Sequence, residues 1–202
     1  MIIKLYTNGI DQRAIAQIAK ILRSGGIAIL PTDTLYAFAC SALHTRAIEQ
    51  ICALKGIDPR KKHLSIHCAD IADASQYAKI NNEQYKLLRQ LTPGPYTFIL
   101  PATTGLPKIY MNRKEVGIRI ADNDCLQAII HELGAPILSS SLHMIDNEEE
   151  SRTDITLIAE HYETRVDCLV DAGHGSPHHS TILDLTTDTP TLLRLGAGAW
   201  SE

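Results

Sequence analysis

Apolar side chains recur along this chain at two spacings, and the spacing assigns most of its elements. Across residues 11–22 they fall at Ile15, Ile18, Ala19 and Leu22, one helical face, before Ser24, Gly25 and Gly26 break the period. The continuous apolar run 27–30 that follows predicts a buried strand, stopped by Pro31. A second helical stripe, Ile48, Ile51 and Cys52, occupies 45–55. The period then drops to two over 63–68, with Leu64, Ile66 and Cys68 on one face and His63, Ser65 and His67 on the other.

Helices are expected over 70–79 and 82–91, then a turn and strand over 93–100. In the next strand, 116–120, Val116, Ile118 and Ile120 point one way and Arg119 the other. A helix at 125–133 leads to a short strand at 137–141, and the acidic run 147–150 reads as a solvated loop. The last third reads as a helix at 154–161, strands at 167–171, 181–185 and 191–195, and a loop at 172–180. Helices and strands alternate early while strands cluster late. That order favours an α/β fold with a twisted, open, mixed sheet flanked by helices over a purely parallel doubly wound one.

At 202 residues the chain has the size of one large domain, 1–202. A net charge of -4 argues against a generally basic coat and confines any RNA binding to a local patch. Five scattered cysteines without a C-x-x-C pair read as reduced core thiols of a cytoplasmic protein. No segment has the character of a secretion signal or the length of a membrane span, so no membrane partner is expected.

Polar groups gather at strand ends: Thr32, Asp33 and Thr34 after the first apolar run, Arg119 within one strand, Ser139 to Ser141 in another, Ser180 and Thr181 before a third. Each alone is ordinary as a turn, a strand end or a surface ion pair, but together they suit a ligand crevice. The stretch 55–62, KGIDPRKK, holds four cations in eight residues. It suits a polyphosphate, and equally a solvated basic loop. With no Walker lysine motif and no G-x-G-x-x-G, any nucleotide would have its phosphates held by side chains. His174, His178 and His179 lack the spacing of a metal site, and LSSSL is no G-x-S-x-G elbow.

The segments PTDTLYAFAC, KKHLSIHC, LTPGPYTFIL, VGIRIADN, GAPILSSSL, DAGHG, STILDL and LLRLGAG stand in the order and spacing of the YrdC-like domain. The chain resembles that family over nearly its whole length, and LSSSL with TPGPYTFILPAT is most similar to its YciO branch. The resemblance implies a concave, basic sheet surface. It also implies a reaction: threonine and bicarbonate form a carbamate that attacks the α-phosphate of ATP, giving pyrophosphate and threonylcarbamoyl-AMP for tRNA modification. ATP would enter as substrate with Mg2+.

Carried over by residue, the resemblance makes Thr34, His67, Arg119, Ser139 and Ser180 contacts to threonine, with Arg119 on its carboxylate. It makes Lys55 and Ser141 catalytic, and Lys55, Lys62, Ser141 and Arg194 nucleotide contacts. Two positions depart from the family pattern: Ile57 where K-x-R places arginine, and His143 where S-x-N places asparagine. The basic loop is one residue longer than usual, which offers Arg60 as a replacement cation on the nucleotide. Losing a fixed phosphate donor costs on the order of 2 to 4 kcal/mol of transition-state stabilisation. Three readings stay open: a synthase of attenuated activity, a tRNA- or double-stranded-RNA-binding protein of the YciO type without synthase activity, and an adenylating enzyme for another small amino or carboxylic acid.

Overall fold

Elements follow one another as β1 (Ile2–Lys4), α1 (Gln12–Arg23), β2 (Ala28–Leu30), β3 (Ala37–Ser41), α2 (Thr45–Leu54), β4 (Ser65–His67), α3 (Ile71–Tyr77), α4 (Asn82–Leu91), β5 (Tyr96–Pro101), α5 (Lys108–Met111), β6 (Glu115–Arg119), α6 (Asp124–Leu133), β7 (Ile137–Ser141), α7 (Ile155–Tyr162), β8 (Cys168–Asp171), β9 (Thr181–Asp184) and β10 (Thr191–Arg194). The structure is a computed structural model that describes residues 1–5, 11–111, 114–142 and 153–201. The acidic run 147–150 and His143 lie outside the described residues.

The ten strands among the described residues form one twisted mixed sheet in the order β1-β8-β2-β3-β7-β4-β6-β5-β9-β10. Helix starts follow the capping chemistry of the sequence. Asp11 accepts from the Arg13 amide at 2.9 Å to open α1, and Asn81 and Gln84 form a capping box on α4. Gly134, at φ 69°, closes α6 in the left-handed conformation that glycine adopts without a Cβ clash.

Alternate residues of β2 enter opposite sides of the sheet. Ala28 and Leu30 join Ile15, Ile18 and Leu22 of α1 and Ile129 of α6, while Ile29 joins Ile48 and Ile51 of α2 and Ile158 of α7. The cluster under α1 and α6 takes no side chain from β4, β6, β5, β9 or β10. On that face the apolar cover ends at β7, and polar side chains begin. All five cysteines are buried and free. Among the described residues no helix is long and apolar enough to cross a membrane.

Candidate functional site

Strand register lines up one row of side chains across six strands. Ser139 of β7 faces Ser65 of β4, Ser65 faces Gly117 of β6, and Gly117 faces Ile99 of β5, the same side as Thr97. Thr97 faces Ile182 of β9, and Ile182 faces Arg194 of β10. Gly117 is the low point of this row. A Cβ built there would stand 2.4 Å from Ser65 Oγ and 3.1 Å from Thr97 Cγ2, so glycine is what lets those side chains close over β6. Above the row lies a cavity of about 160 Å3 whose wall includes Ser65, Thr97, Arg119, Ser139, Ser141, Ser180 and Arg194.

Arg119 ends β6 with only 5% of its surface exposed. Its Nη2 donates to Asp33 Oδ1 at 2.6 Å and to Thr34 Oγ1 at 3.1 Å, whereas its buried Nε has no hydrogen-bond partner. Asp33 accepts at its other oxygen from the Asp122 amide, at 3.3 Å. The turn after β2 is fixed by Thr32, which donates to the Leu35 carbonyl and accepts from the Thr34 amide, both at 2.9 Å. Burial raises the Asp33 carboxyl, with Arg119 pulling it back, and burial lowers the Arg119 guanidinium, with Asp33 opposing.

His67 pairs in register with Arg119 and is completely buried. Burial, and then the Arg119 charge, hold it well below the usual histidine range, so it is neutral. Both its ring nitrogens lack a partner. Unpaired polar atoms are expensive inside a protein, and their concentration on adjacent strands marks a place suited to a polar ligand.

On the far side Arg194 holds the Ser180 carbonyl, with Nε at 3.1 Å and Nη2 at 2.8 Å, and reaches Ser180 Oγ at 3.3 Å. Ser180 Oγ also meets Thr97 Oγ1 at 2.8 Å. Lys55, the residue closing α2, donates through Nζ to the Ser141 carbonyl. Burial, and then the nearby charge of Lys62, lower its pKa from 10.5 to about 8.

The structure therefore gathers Arg119, Ser139, Ser141, Ser180 and Arg194 on one cavity wall, puts Thr34 on Arg119, and brings Lys55 to Ser141. Arg60 does not join them. The loop turns it back onto Asp58, Nε to Oδ1 and Nη2 to Oδ2 at 3.0 Å each, with 76% of its side chain exposed. The loop thus supplies Arg60 with its own carboxylate, Asp58, instead of releasing it toward the site. Ile57 lines the cavity and packs against the core, so this part of the wall is apolar.

Residues without an assigned role in the sequence reading also enter. Asp33 pairs with Arg119, Thr97 and Ser65 sit in the floor, and His63 lines the wall with Nε2 2.5 Å from Glu115 Oε2. Thr97 was detectable as the one aliphatic hydroxyl inside an apolar strand, and His63 and Ser65 as the polar face they share with His67. A larger cavity of about 610 Å3 is bordered by Asp70, Asp122 and Asp124 with no lysine or arginine, the wrong sign for a phosphate.

A family model described as telomere recombination, for the Sua5, YciO and YrdC proteins, matches residues 20–196. The chain belongs to this family. The crystal structure of Escherichia coli YciO overlays it with a TM-score of 0.91 at 33% identity, covering 98% of this chain and 97% of that one. By sequence the E. coli protein, itself described as uncharacterized, is 34% identical over 196 residues, 96% of this chain and 94% of its own length. Threonylcarbamoyl-AMP synthase of Bacillus subtilis is 32% identical over 186 residues, 90% of this chain and 53% of the synthase. Pyrococcus abyssi Sua5 complexed with L-threonine gives a TM-score of 0.87 at 28% identity, covering 97% of this chain and 57% of Sua5. This Sua5/YciO/YrdC chain thus spans just over half of those two relatives.

Proposed function

We propose that this family member is a threonylcarbamoyl-AMP synthase-type nucleotidyltransferase of attenuated activity, taking ATP, L-threonine and bicarbonate at the cavity. The observation that carries the reading is Arg119, a guanidinium buried at the cavity wall with its Nε unpaired. A planar guanidinium with an uncommitted N–H is the natural receptor for an amino acid carboxylate.

Volume divides the substrates. About 160 Å3 is smaller than the roughly 300 Å3 at which drug-sized pockets begin, so the enclosed part suits an amino acid and the nucleotide lies at its open side. Arg119 would hold the amino acid, with the buried Thr34 and His67 packed behind it and not themselves on the cavity wall. Lys55, Lys62, Ser141 and Arg194 would meet the phosphates. Threonine amine and bicarbonate lose water to form the carbamate; a carbamate oxygen then bonds to the α-phosphorus as the bond to pyrophosphate breaks. This chemistry needs positioning and fixed donors more than covalent participation by the protein.

Mg2+ would arrive on the phosphates of ATP. Ile57 deprives the phosphate side of a cation, which supports the attenuation. It equally favours the second reading, a tRNA-binding protein without synthase activity. The test is incubation with ATP, Mg2+, bicarbonate and single amino acids, following pyrophosphate and the mass of the adenylate. Pyrophosphate no higher than with ATP alone, for every amino acid, would remove the synthase reading and make a salt-dependent tRNA titration decisive.

A further inference from the structure

We propose that Asp33 makes this site selective for α-amino acids over carboxylic acids that lack the amino group, an inference that rests on reading the cavity as an amino acid site. Arg119 is not an empty receptor. One of its nitrogens already serves a carboxylate of the protein, Asp33, at 2.6 Å, and both side chains are only 6% exposed. A ligand carboxylate must therefore take the remaining edge of the same guanidinium, beside a second carboxylate that is fixed in place.

Asp33 cannot simply withdraw. One oxygen is held by Arg119 and the other by the Asp122 amide, and the turn that carries it is pinned through Thr32. His67, the register partner of Arg119, is neutral and brings no positive charge. A simple carboxylate entering here puts two negative groups on the one guanidinium they share, in a poorly screened place, since Arg194, the other cation of the cavity wall, is committed to the Ser180 carbonyl. A zwitterion does not, because its ammonium group lies one carbon from its carboxylate and supplies the charge that the pair of carboxylates lacks. The selection operates at binding, before the amine loses its proton for carbamate formation.

Calorimetry with L-threonine and with 3-hydroxybutyrate, its counterpart without the amino group, tests this on the parent and on Asp33→Asn. The variant keeps an oxygen for Arg119 and removes only the charge; Asp33→Ser serves if the amide variant does not fold. The parent should prefer threonine by about tenfold or more, and either variant should bring the two ligands within about threefold, chiefly through tighter 3-hydroxybutyrate binding. Equal binding of both ligands by the parent overturns the proposal whatever the variants do. A variant that weakens both ligands in parallel, leaving the ratio unchanged, also overturns it, since Asp33 would then only hold Arg119 in position. Both of those results leave the amino acid site standing. Absence of threonine binding by the parent removes that reading and the selectivity with it.

Discussion

Titration of Lys55 gives a stability signal that can be separated from every other group. Its Nζ donates to the Ser141 carbonyl at the cavity, and burial, reinforced by the charge of Lys62, lowers its pKa from 10.5 to about 8. A depressed lysine pKa means that the charged form is penalised in the folded state. Below about pH 8 both folded and unfolded chains carry the proton and the penalty is fully present. Between pH 8 and 10.5 the folded chain sheds the proton while the unfolded chain keeps it, so stability rises with pH. The whole shift is equivalent to about 3.4 kcal/mol, and because Lys55 is only half-buried, screening reduces this to about 1.5 kcal/mol. Urea unfolding of parent and Lys55→Met at pH 7, 8, 9 and 10 measures it, since the buried thiols and phenols titrate alike in both and cancel in the difference. The parent should gain about 1 kcal/mol on the variant between pH 7 and 10, with the remainder appearing above pH 10. A flat or falling difference would refute the desolvation argument. Saturating MgATP should abolish the rise by holding Lys55 charged against phosphate; a rise unaffected by MgATP would mean that Lys55 is buried away from the nucleotide.

Arg119→Met should weaken threonine binding by about 1.5 to 3 kcal/mol in calorimetry. It should also destabilise the fold by about 3 to 5 kcal/mol by stranding the Asp33 carboxylate, most of which Asp33→Asn restores in the double variant; additive losses would disprove the pairing. Arg60→Ala should leave pyrophosphate release within about twofold of the parent, because an exposed pair with Asp58 contributes little, and a larger fall would place Arg60 on the phosphates. Ile57→Arg should raise adenylate formation about tenfold or more by returning a donor to the cavity wall, at a cost near 1 kcal/mol of lost packing. A folded Ile57→Arg protein with no gain would place the lost activity elsewhere.

Helices were legible where an apolar stripe met a capping residue, and the expected starts at Asp11, Asp70 and Asp154 are caps in the structure. Two strands escaped for different reasons. β1 has three residues with one buried, too short to carry a period, and β3 is buried on both faces, so Ala37 to Ser41 show no alternation. The row of site residues was legible as chemistry but not as a place. Ser65, Thr97 and Ser139 are separated in sequence by strands that pair out of order, and only the crossover of β7 between β3 and β4 brings the serines together. The fate of Arg60 was not legible at all, because a cation in a basic loop reads the same whether it faces a cavity or turns back on Asp58.

The distribution of strain on the fold itself separates the site from the other concavities. In β2, β3 and β8 the strands are filled mainly with Ala, Ile, Leu, Val, Phe and Cys at almost no exposure, which is what a covered mixed sheet needs. Across β4 and β6 the same positions hold a neutral histidine with two unpaired nitrogens and an arginine sharing its charge with a desolvated aspartate. Apolar residues of similar volume would stabilise the sheet there, since a buried ion pair seldom recovers the hydration it loses. The cavity of about 610 Å3 holds no buried charge: its carboxylates at Asp70, Asp122 and Asp124 are exposed, and the unpaired buried atom of its described lining is a neutral amide oxygen, Gln127 Oε1. Size alone would favour either of two larger cavities, of about 610 and 700 Å3. The cost of folding favours the smaller one beside Arg119, because groups left unpaired at the expense of stability are those a ligand can satisfy.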